Sequence, residues 1–219
     1  MPRGGPSSKR EILREFAASV ANSGYDETSF REIAEALEIS KGTIVHHYGT
    51  KERLLEAVHR EYMDRRLREA QVILETTSGA AARLTAFIAQ LLVAQRDDRD
   101  ATVTFAREIA RFATMDLMAD VRHMRASYTR LLRGVLAEGV ESGEFREVDV
   151  DLVTLQIFGM CNWSWTWWGN PRSKYSVVEV VEAWTTGLLS GLRTTRGPKK
   201  LDVAGIVASV ENVVEKLES

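Results

Sequence analysis

Two features are scarce in this 219-residue chain, and each absence narrows what the protein can be. There is a single cysteine, Cys161, which excludes an intramolecular disulfide and suits a reducing compartment, so we expect a cytoplasmic protein. Apolar runs are short, and none approaches the roughly 20 residues that a membrane-spanning helix needs. The sequence therefore predicts a protein without a membrane anchor.

An excess of positive charge is also missing, since 29 lysines and arginines face 31 acidic residues and the net charge is -2. Bulk attraction to nucleic acid is therefore weak, and any DNA binding must depend on the local placement of basic groups. Motifs of enzymes are absent as well. The chain has no G-x-S-x-G, no glycine loop that cradles phosphate and no obvious carboxylate pair, which predicts that it is not an enzyme and needs no cofactor.

Histidine is present only four times, and the pattern does not predict a metal site. His46 and His47 are adjacent, so on a helix their side chains diverge by about 100°. His59 and His123 are isolated, and no cysteine or HExxH motif accompanies them. We therefore expect no metal ion.

Apolar residues recur at helical spacing along most of the chain, while alternation of period two is absent, so the sequence predicts an all-α fold. Prolines are few, and three of the four lie near the ends. The predicted helices cover approximately residues 8–22, 29–37, 41–47, 51–75, 80–95, 101–114, 116–142, 150–168, 177–192 and 203–217.

The segment from Ser29 to Lys51 predicts a helix-turn-helix. Ser29 and Glu32 have the spacing of a capping box, and Ser40 is a suitable N-cap for a second short helix. Only Glu38 and Ile39 separate the two helical patterns. The second helix is small and polar at its start, which suits insertion into a major groove.

The run from Ser40 to Leu55, SKGTIVHHYGTKERLL, resembles the signature of the TetR family of transcriptional regulators. The resemblance implies a three-helix DNA-binding domain, predicted at residues 1–53, followed by a helical ligand-binding and dimerisation domain at residues 54–219. Val45 departs from the family, which usually has an aromatic residue there that contacts the DNA backbone.

Thr43 and Lys41 are predicted to reach base edges or nearby phosphates, and Gly42 allows close approach of the backbone. The resemblance implies groove contact by Arg31 and phosphate contact by His47, whereas His46 is either a base contact or a solvated helix end. The full set predicted to contact DNA is Thr28, Ser29, Arg31, Ser40, Lys41, Gly42, Thr43, Val45, His46, His47 and Lys51.

Dimerisation is implied by the resemblance, through the last two helices before the C-terminal extension. These helices carry more apolar positions than one buried stripe requires. The interface is predicted to include Phe158, Val177, Val181, Trp184, Leu188 and Leu192. The extra C-terminal helix has no predicted role.

An effector cavity is predicted among aromatic, methionine and aliphatic residues, because such side chains suit a large apolar ligand. Its predicted lining is Phe87, Leu91, Phe105, Ile109, Phe112, Met118, Met124, Tyr128, Trp163 and Trp167, although the same residues suit an ordinary core and the tryptophans suit a dimer interface. Arginines concentrate around residues 107–133 and either bind the phosphates of a coenzyme A ester or form a solvated face.

The sequence thus predicts a ligand-responsive repressor that binds a palindromic operator as a homodimer. A similarity to regulators of fatty-acid and sterol-ring breakdown implies a small hydrophobic or acyl-CoA-like effector. Tilting of the fourth helix would change the spacing of the two recognition helices and lower operator affinity. The alternative, raised by Val45, is a helical partner- or ligand-binding protein with a weakened DNA-binding domain.

Overall fold

The computed structural model describes residues 6–168, 173–192 and 202–218, and within them every regular element is helical. The predicted all-α class is confirmed. The helices are α1 (Pro6–Ser23), α2 (Phe30–Ala36), α3 (Lys41–Tyr48), α4 (Lys51–Thr76), α5 (Ala80–Asp97), α6 (Arg99–Phe112), α7 (Ala119–Glu141), α8 (Val150–Trp163), α9 (Val177–Leu192) and α10 (Val203–Glu218).

The chain divides into two compact units, and the division does not follow the order of the sequence. The first unit contains the residues up to Asp64 together with Asp98–Arg125. The second contains Arg65–Asp97 together with the residues from Ala126 onward. Helix α6 therefore belongs to the same unit as the helix-turn-helix, whereas the sequence suggested a boundary after residue 53.

Around the helix-turn-helix, the core of the first unit includes side chains of α1, α2 and α3. Ile12 and Phe16 of α1 are fully buried, as are Ile33 of α2 and Ile44 of α3. Burying an aliphatic or aromatic side chain of this size contributes about 1.5–3 kcal/mol. These residues fix the angle between α2 and α3 and leave the polar side of α3 at the surface.

Helix α5 is the central element of the second unit. Nearly all of its residues from Ala80 to Gln95 are buried, and α8, α9 and α10 pack against it. Its N-terminus is capped from a distance, because Glu144 accepts hydrogen bonds from the amides of Ala80 and Ala81 at 2.8 and 3.2 Å. A helix that is buried on all sides lacks a polar stripe, as the sequence of α5 shows.

Helix α10 extends the second unit beyond α9. Val207, Val210 and Val214 are buried at helical spacing, and α10 packs against α5 and α9. An ion pair of 2.7 Å joins Glu211 of α10 to Arg96 of α5. The predicted C-terminal helix is therefore present, and it covers part of the central helix.

The prediction for the end of α8 was wrong. The sequence suggested a helix to residue 168, but the α-helix ends at Trp163 and a 3-10 turn follows at Ser164–Thr166. The carbonyl of Cys161 accepts a hydrogen bond from Gln95 at 2.6 Å, and the buried Ser164 hydroxyl lies 2.7 Å from it. These bonds to the carbonyl accompany the tightening of the last turn.

The start of the predicted seventh helix was also wrong. Residues Asp116–Met118 form a 3-10 turn, and the α-helix begins only at Ala119. The amide of Met118 bonds to the carbonyl of Met115, three residues earlier, at 3.0 Å. This spacing is that of a 3-10 turn, and Met118 is fully buried beneath it.

Candidate functional site

The first helix of the helix-turn-helix begins with the predicted capping box. The Ser29 hydroxyl accepts from the Glu32 amide at 3.3 Å, and the Glu32 carboxylate accepts from the Ser29 amide at 3.1 Å. Two amides at the helix start are therefore bonded by side chains. This arrangement fixes the position at which α2 leaves the preceding loop.

A tight corner joins α2 to α3. Glu38 adopts a φ of 53°, a left-handed conformation that costs a non-glycine residue about 1–2 kcal/mol. The amide of Ile39 bonds back to the carbonyl of Ala34 at 3.0 Å, and Ser40 caps α3 by accepting from the Thr43 amide at 3.0 Å. The corner thus sets a fixed angle between two short helices.

Helix α3 presents a small polar surface. Lys41, Gly42, Val45 and His46 are exposed, whereas Ile44 points into the core. A surface with few large groups at the start of the helix allows close approach to a base-pair edge. The hydroxyl of Thr43 lies 3.0 Å from that of Ser40, which orients it at the same end.

Several residues predicted to contact phosphate also have partners within the chain. Thr28 is buried and donates its hydroxyl to the carbonyl of Gly24 at 2.9 Å. Arg31 is exposed and pairs with Glu35 at 2.8 Å. His47 is half-buried, with its ring centroid 5.4 Å from that of His46 and 6.4 Å from that of Tyr48. The Thr28 hydroxyl thus stabilises the loop, and the Thr28 amide also donates within it, to the carbonyl of Tyr25 at 3.2 Å.

Lys51 has two neighbours in the loop that precedes α2. Its ammonium group donates to the carbonyl of Asp26 at 3.3 Å and lies 4.3 Å from the ring centroid of Tyr25. The hydroxyl of Tyr25 in turn donates to Glu52 at 3.3 Å. Burial raises the pKa of Tyr25 to about 12, with the Glu52 charge adding to the effect, so the phenol stays protonated.

Helix α6 is attached to α1 and to the loop before α2 by polar contacts that the sequence did not reveal. The buried Thr104 hydroxyl donates to the carbonyl of Ala17 at 2.9 Å, and Arg107 donates to the carbonyl of Ala21 at 2.7 Å. Arg111 pairs with Asp26 at 2.8 Å. Arg107 and Arg111 belong to the arginine-rich segment predicted either to bind the phosphates of a coenzyme A ester or to form a solvated face, and here they contact α1 and the loop before α2.

The residues predicted to line an effector cavity divide between the two units. In the second unit, Phe87, Leu91 and Tyr128 are buried, and the ring centroids of Phe87 and Tyr128 are 5.7 Å apart. Trp163 and Trp167 are exposed, by 67% and 44%. In the first unit, Phe105 and Met118 are buried, Ile109 and Met124 are half-buried, and the side chain of Phe112 lies outside the described residues.

A buried polar cluster in the second unit was missed from the sequence. The Arg66 guanidinium pairs with Glu69 at 2.7 Å, and Gln90 donates to the other Glu69 oxygen at 2.9 Å. The Tyr128 hydroxyl donates to the Gln90 carbonyl oxygen at 2.9 Å. All four side chains are at most 4% exposed. A pair of charges at positions i and i+3 on α4 looks like a surface feature in sequence, so only the packing shows that it is internal.

Three other features bear on the chemistry that the chain could support. Within the described residues there is no group of three or more metal-ligating side chains. His59 is buried, which lowers its pKa to about 3, and its ring centroid lies 5.4 Å from that of Phe105. Among the residues that the structure describes, no helix is long and apolar enough to cross a membrane.

The predicted dimer residues lie mostly on the inner side of their helices. Val177, Val181 and Leu192 are at most 5% exposed within the single chain, while Phe158, Trp184 and Leu188 are half-buried. Other residues of the same helices are exposed. On α8 these include Leu152, Leu155 and Trp163, which are 64–67% exposed and follow one face of the helix.

Glycines on this outer surface leave additional room. A Cβ atom added to Gly159 of α8, or to Gly187 or Gly191 of α9, would meet no atom of the chain within 4 Å. The chain's own packing therefore does not require glycine at these positions. The large exposed side chains of α8 and the exposed glycines of α9 are both open to contact with a second helical surface.

Comparisons with known proteins agree with this architecture. Residues 12–58 match the family model described as bacterial regulatory proteins of the tetR family, and residues 77–192 match the tetracyclin repressor-like C-terminal domain. The repressor KstR2 of Mycolicibacterium smegmatis is 28% identical over 196 residues, which cover 89% of this chain and 95% of that protein. The fatty acid metabolism regulator protein of Bacillus subtilis is 25% identical over 183 residues, which cover 83% and 94%.

Solved structures share the fold. The ketosteroid transcriptional regulator KstR2 of Mycobacterium tuberculosis superposes with a TM-score of 0.80 at 24% identity, covering 87% of this chain and 97% of that one. AibR, determined in complex with isovaleryl coenzyme A and operator DNA, gives a TM-score of 0.76 at 23% identity, covering 84% and 98%.

Proposed function

The chain belongs to the tetR family of bacterial regulatory proteins, and we propose that it is a transcriptional repressor that binds a roughly palindromic operator as a homodimer. The observation that carries the proposal is the tight corner between the end of α2 and the polar start of α3, with a side-chain cap at the start of each helix. This geometry suits reading of base edges by α3 with phosphate contacts at the flanking helix termini.

The residues proposed to contact DNA fall into two groups. Lys41, Gly42, Thr43 and His46 lie on or beside the exposed side of α3, where they would face the major groove. Ser29, Arg31, His47 and Lys51 lie around it, where phosphates would pass. Val45 is 43% exposed, so it can make an apolar contact with a thymine methyl group in place of the aromatic contact usual in the family.

The dimer is proposed to form through the outer face of α8 and α9. The exposed leucines and Trp163 of one protomer would pack against the small residues around Gly187 and Gly191 of its partner. In a symmetric dimer that reads an operator, the two α3 helices are expected to enter successive major grooves, about 34–36 Å apart. The operator is therefore expected to be an inverted repeat.

The proposed effector is a small hydrophobic or acyl-CoA-like molecule that binds the helical domain and releases the operator. Two lines support this class. The relatives include a fatty acid metabolism regulator, and the fold accommodates isovaleryl coenzyme A in AibR. In this chain, the buried rings of Phe87 and Tyr128 supply apolar surface in the second unit, of the kind that an apolar ligand requires.

The proposal includes no catalytic activity and places the protein in the cytoplasm, where its operator would be. The alternative of a partner-binding protein with a weakened DNA-binding domain is not favoured, because the capping box, the corner and the recognition helix are all formed.

The direct test begins with selection of a preferred duplex by the full-length protein from a pool of random sequence. Fluorescence anisotropy then measures affinity with and without acyl-CoA esters of increasing chain length, using free coenzyme A and free fatty acids as controls. Selection of an inverted repeat, released by one class of ester, is expected. Failure to enrich any duplex at low salt would contradict DNA binding, and release by none of the ligands would contradict the effector class alone.

A further inference from the structure

Two cationic side chains from different helices contact the loop before α2. Tyr25 is buried, and its ring centroid lies 4.3 Å from the ammonium of Lys51 on α4 and 4.5 Å from the guanidinium carbon of Arg111 on α6. The next residue, Asp26, binds both: its carbonyl accepts from Lys51 at 3.3 Å, and its carboxylate accepts from Arg111 at 2.8 Å. One acidic residue therefore meets a cation of each helix.

The guanidinium of Arg111 carries a permanent charge near neutral pH. A hydrogen bond to Glu108, at 2.7 Å, is the largest cause that raises the pKa of Arg111, so the guanidinium stays charged. Burial holds the phenol of Tyr25 protonated, as described above. Neither Arg111 nor Tyr25 therefore changes its protonation when the solution pH shifts within the neutral range.

Lys51 is the residue of this cluster that we expect to bind a DNA phosphate. It is the first residue of α4 and follows closely after the end of α3, where a phosphate would approach. An ammonium group has three donors and is attracted both by phosphate and by carboxylate. Lys51 already contacts the carbonyl of Asp26, so the carboxylate of the same residue is close to it in the chain. Without its bond to Arg111, this carboxylate would compete with a DNA phosphate for Lys51.

The Arg111–Asp26 ion pair is largely open to solvent. The two side chains are 36% and 76% exposed, and an ion pair so open to solvent adds little stability. Arg111 lies at the end of α6, and a single residue, Asp98, connects α6 to the buried helix α5. Breaking this one ion pair would therefore by itself cost little stability.

We propose that Arg111 is a positioning residue for operator binding: it occupies the carboxylate of Asp26 and so leaves Lys51 available to a DNA phosphate. When an effector displaces α6, Arg111 withdraws, the Asp26 carboxylate captures Lys51, and each protomer then binds one phosphate fewer. This inference rests on the proposed function, because it requires an operator and an effector-driven movement of α6.

The test uses full-length protein and the duplex selected by the wild-type chain, with affinity measured by anisotropy over a range of salt concentrations. Arg111→Ala should weaken binding about tenfold without any effector, because Lys51 of each protomer no longer makes its charge-assisted bond to phosphate. The slope of log affinity against log salt should fall by about 0.9 for each phosphate that Lys51 ceases to neutralise. Arg111→Gln, which keeps much of the side chain over Tyr25, should behave in the same way.

The decisive variant is the double replacement Arg111→Ala with Asp26→Asn. Because removing the competing carboxylate makes Lys51 available again, the affinity should return to within about threefold of the wild-type value. The salt slope should return to within about 0.3 of the wild-type slope. A structural role for Arg111 would give no rescue, because the double variant lacks both sides of the ion pair. Persistence of the weak binding in the double variant would overturn the proposal.

Two comparisons complete the test. Arg107→Ala also removes one positive charge from α6, but Arg107 contacts the carbonyl of Ala21 and not Asp26, so Asp26→Asn should not rescue it. In a Lys51→Ala background, Arg111→Ala should cause no further weakening, and an additive weakening would overturn the proposal. If the wild-type chain selects no duplex, the proposed function fails at that first step and this inference falls with it.

Discussion

Replacing Leu155 with glutamate should convert the dimer into a monomer. Leu155 is 65% exposed on the outer face of α8. Burying a leucine side chain completely stabilises a protein or complex by about 1.5–3 kcal/mol. About two thirds of that contribution therefore remains to be gained on association, roughly 1–2 kcal/mol for each copy. A symmetric interface contains two copies, so removing both costs about 2–4 kcal/mol, equivalent to an increase of roughly 30- to 1,000-fold in the dissociation constant.

The glutamates would add the cost of bringing two carboxylates into an apolar interface. Sedimentation velocity over a range of protein concentrations measures the change directly. Leu117→Glu is the matched control, because Leu117 is 40% exposed but lies in the 3-10 turn of the first unit. If Leu155→Glu dimerises as tightly as Leu117→Glu and wild type, the proposed dimer face is refuted.

Three further predictions concern specificity and stability. Thr43→Ala should reduce the preference for the selected duplex over single-base variants by about tenfold while leaving affinity for random duplexes nearly unchanged, as competition anisotropy can measure. Glu69→Ala should destabilise the protein by about 3 kcal/mol in urea, because Arg66 would remain buried without its carboxylate; the exposed Gln71→Ala on the same helix should cost well under 1 kcal/mol. The pKa of His59 is about 3 in the folded state, below its value of about 6.5 in the unfolded chain, so the unfolded chain binds the proton more tightly. The free energy of unfolding therefore falls as the pH drops below about 6.5, by up to roughly 1.4 kcal/mol per pH unit. His59→Leu should remove that part of the pH dependence between pH 6.5 and 4.5, and an unchanged dependence would show that His59 is not the responsible group.

Local sequence rules predicted the helix-turn-helix well because its parts are short-range. The capping box joins Ser29 to Glu32, and the cap of α3 joins Ser40 to Thr43, each within three residues. Such bonds depend on spacing alone and can be read from a sequence. The same is true of the helical class, because apolar spacing persists along most of the chain.

Features that depend on tertiary packing were not accessible in this way. Periodicity shows that α8 and α9 are apolar on more than one side, but it does not distinguish the inner Val181 from the outer Leu155. The hydrogen bond between Arg111 and Asp26 spans 85 residues, and Arg111 lies in a segment whose composition suggested either phosphate binding or a solvated face. The helix end at Trp163 likewise depends on Gln95, which is distant in sequence.

The central claim is that two copies of α3 are held at a fixed separation by the dimer, and varying the operator's spacing tests it most directly. Anisotropy would compare the selected inverted repeat with versions whose half-sites are moved apart by about 5 and about 10 base pairs, half a turn and one turn of DNA. We predict that affinity falls by a factor of at least about 100 at half a turn, because the second α3 would then face the opposite side of the duplex. Equal affinity for the original and the half-turn duplex would contradict the account.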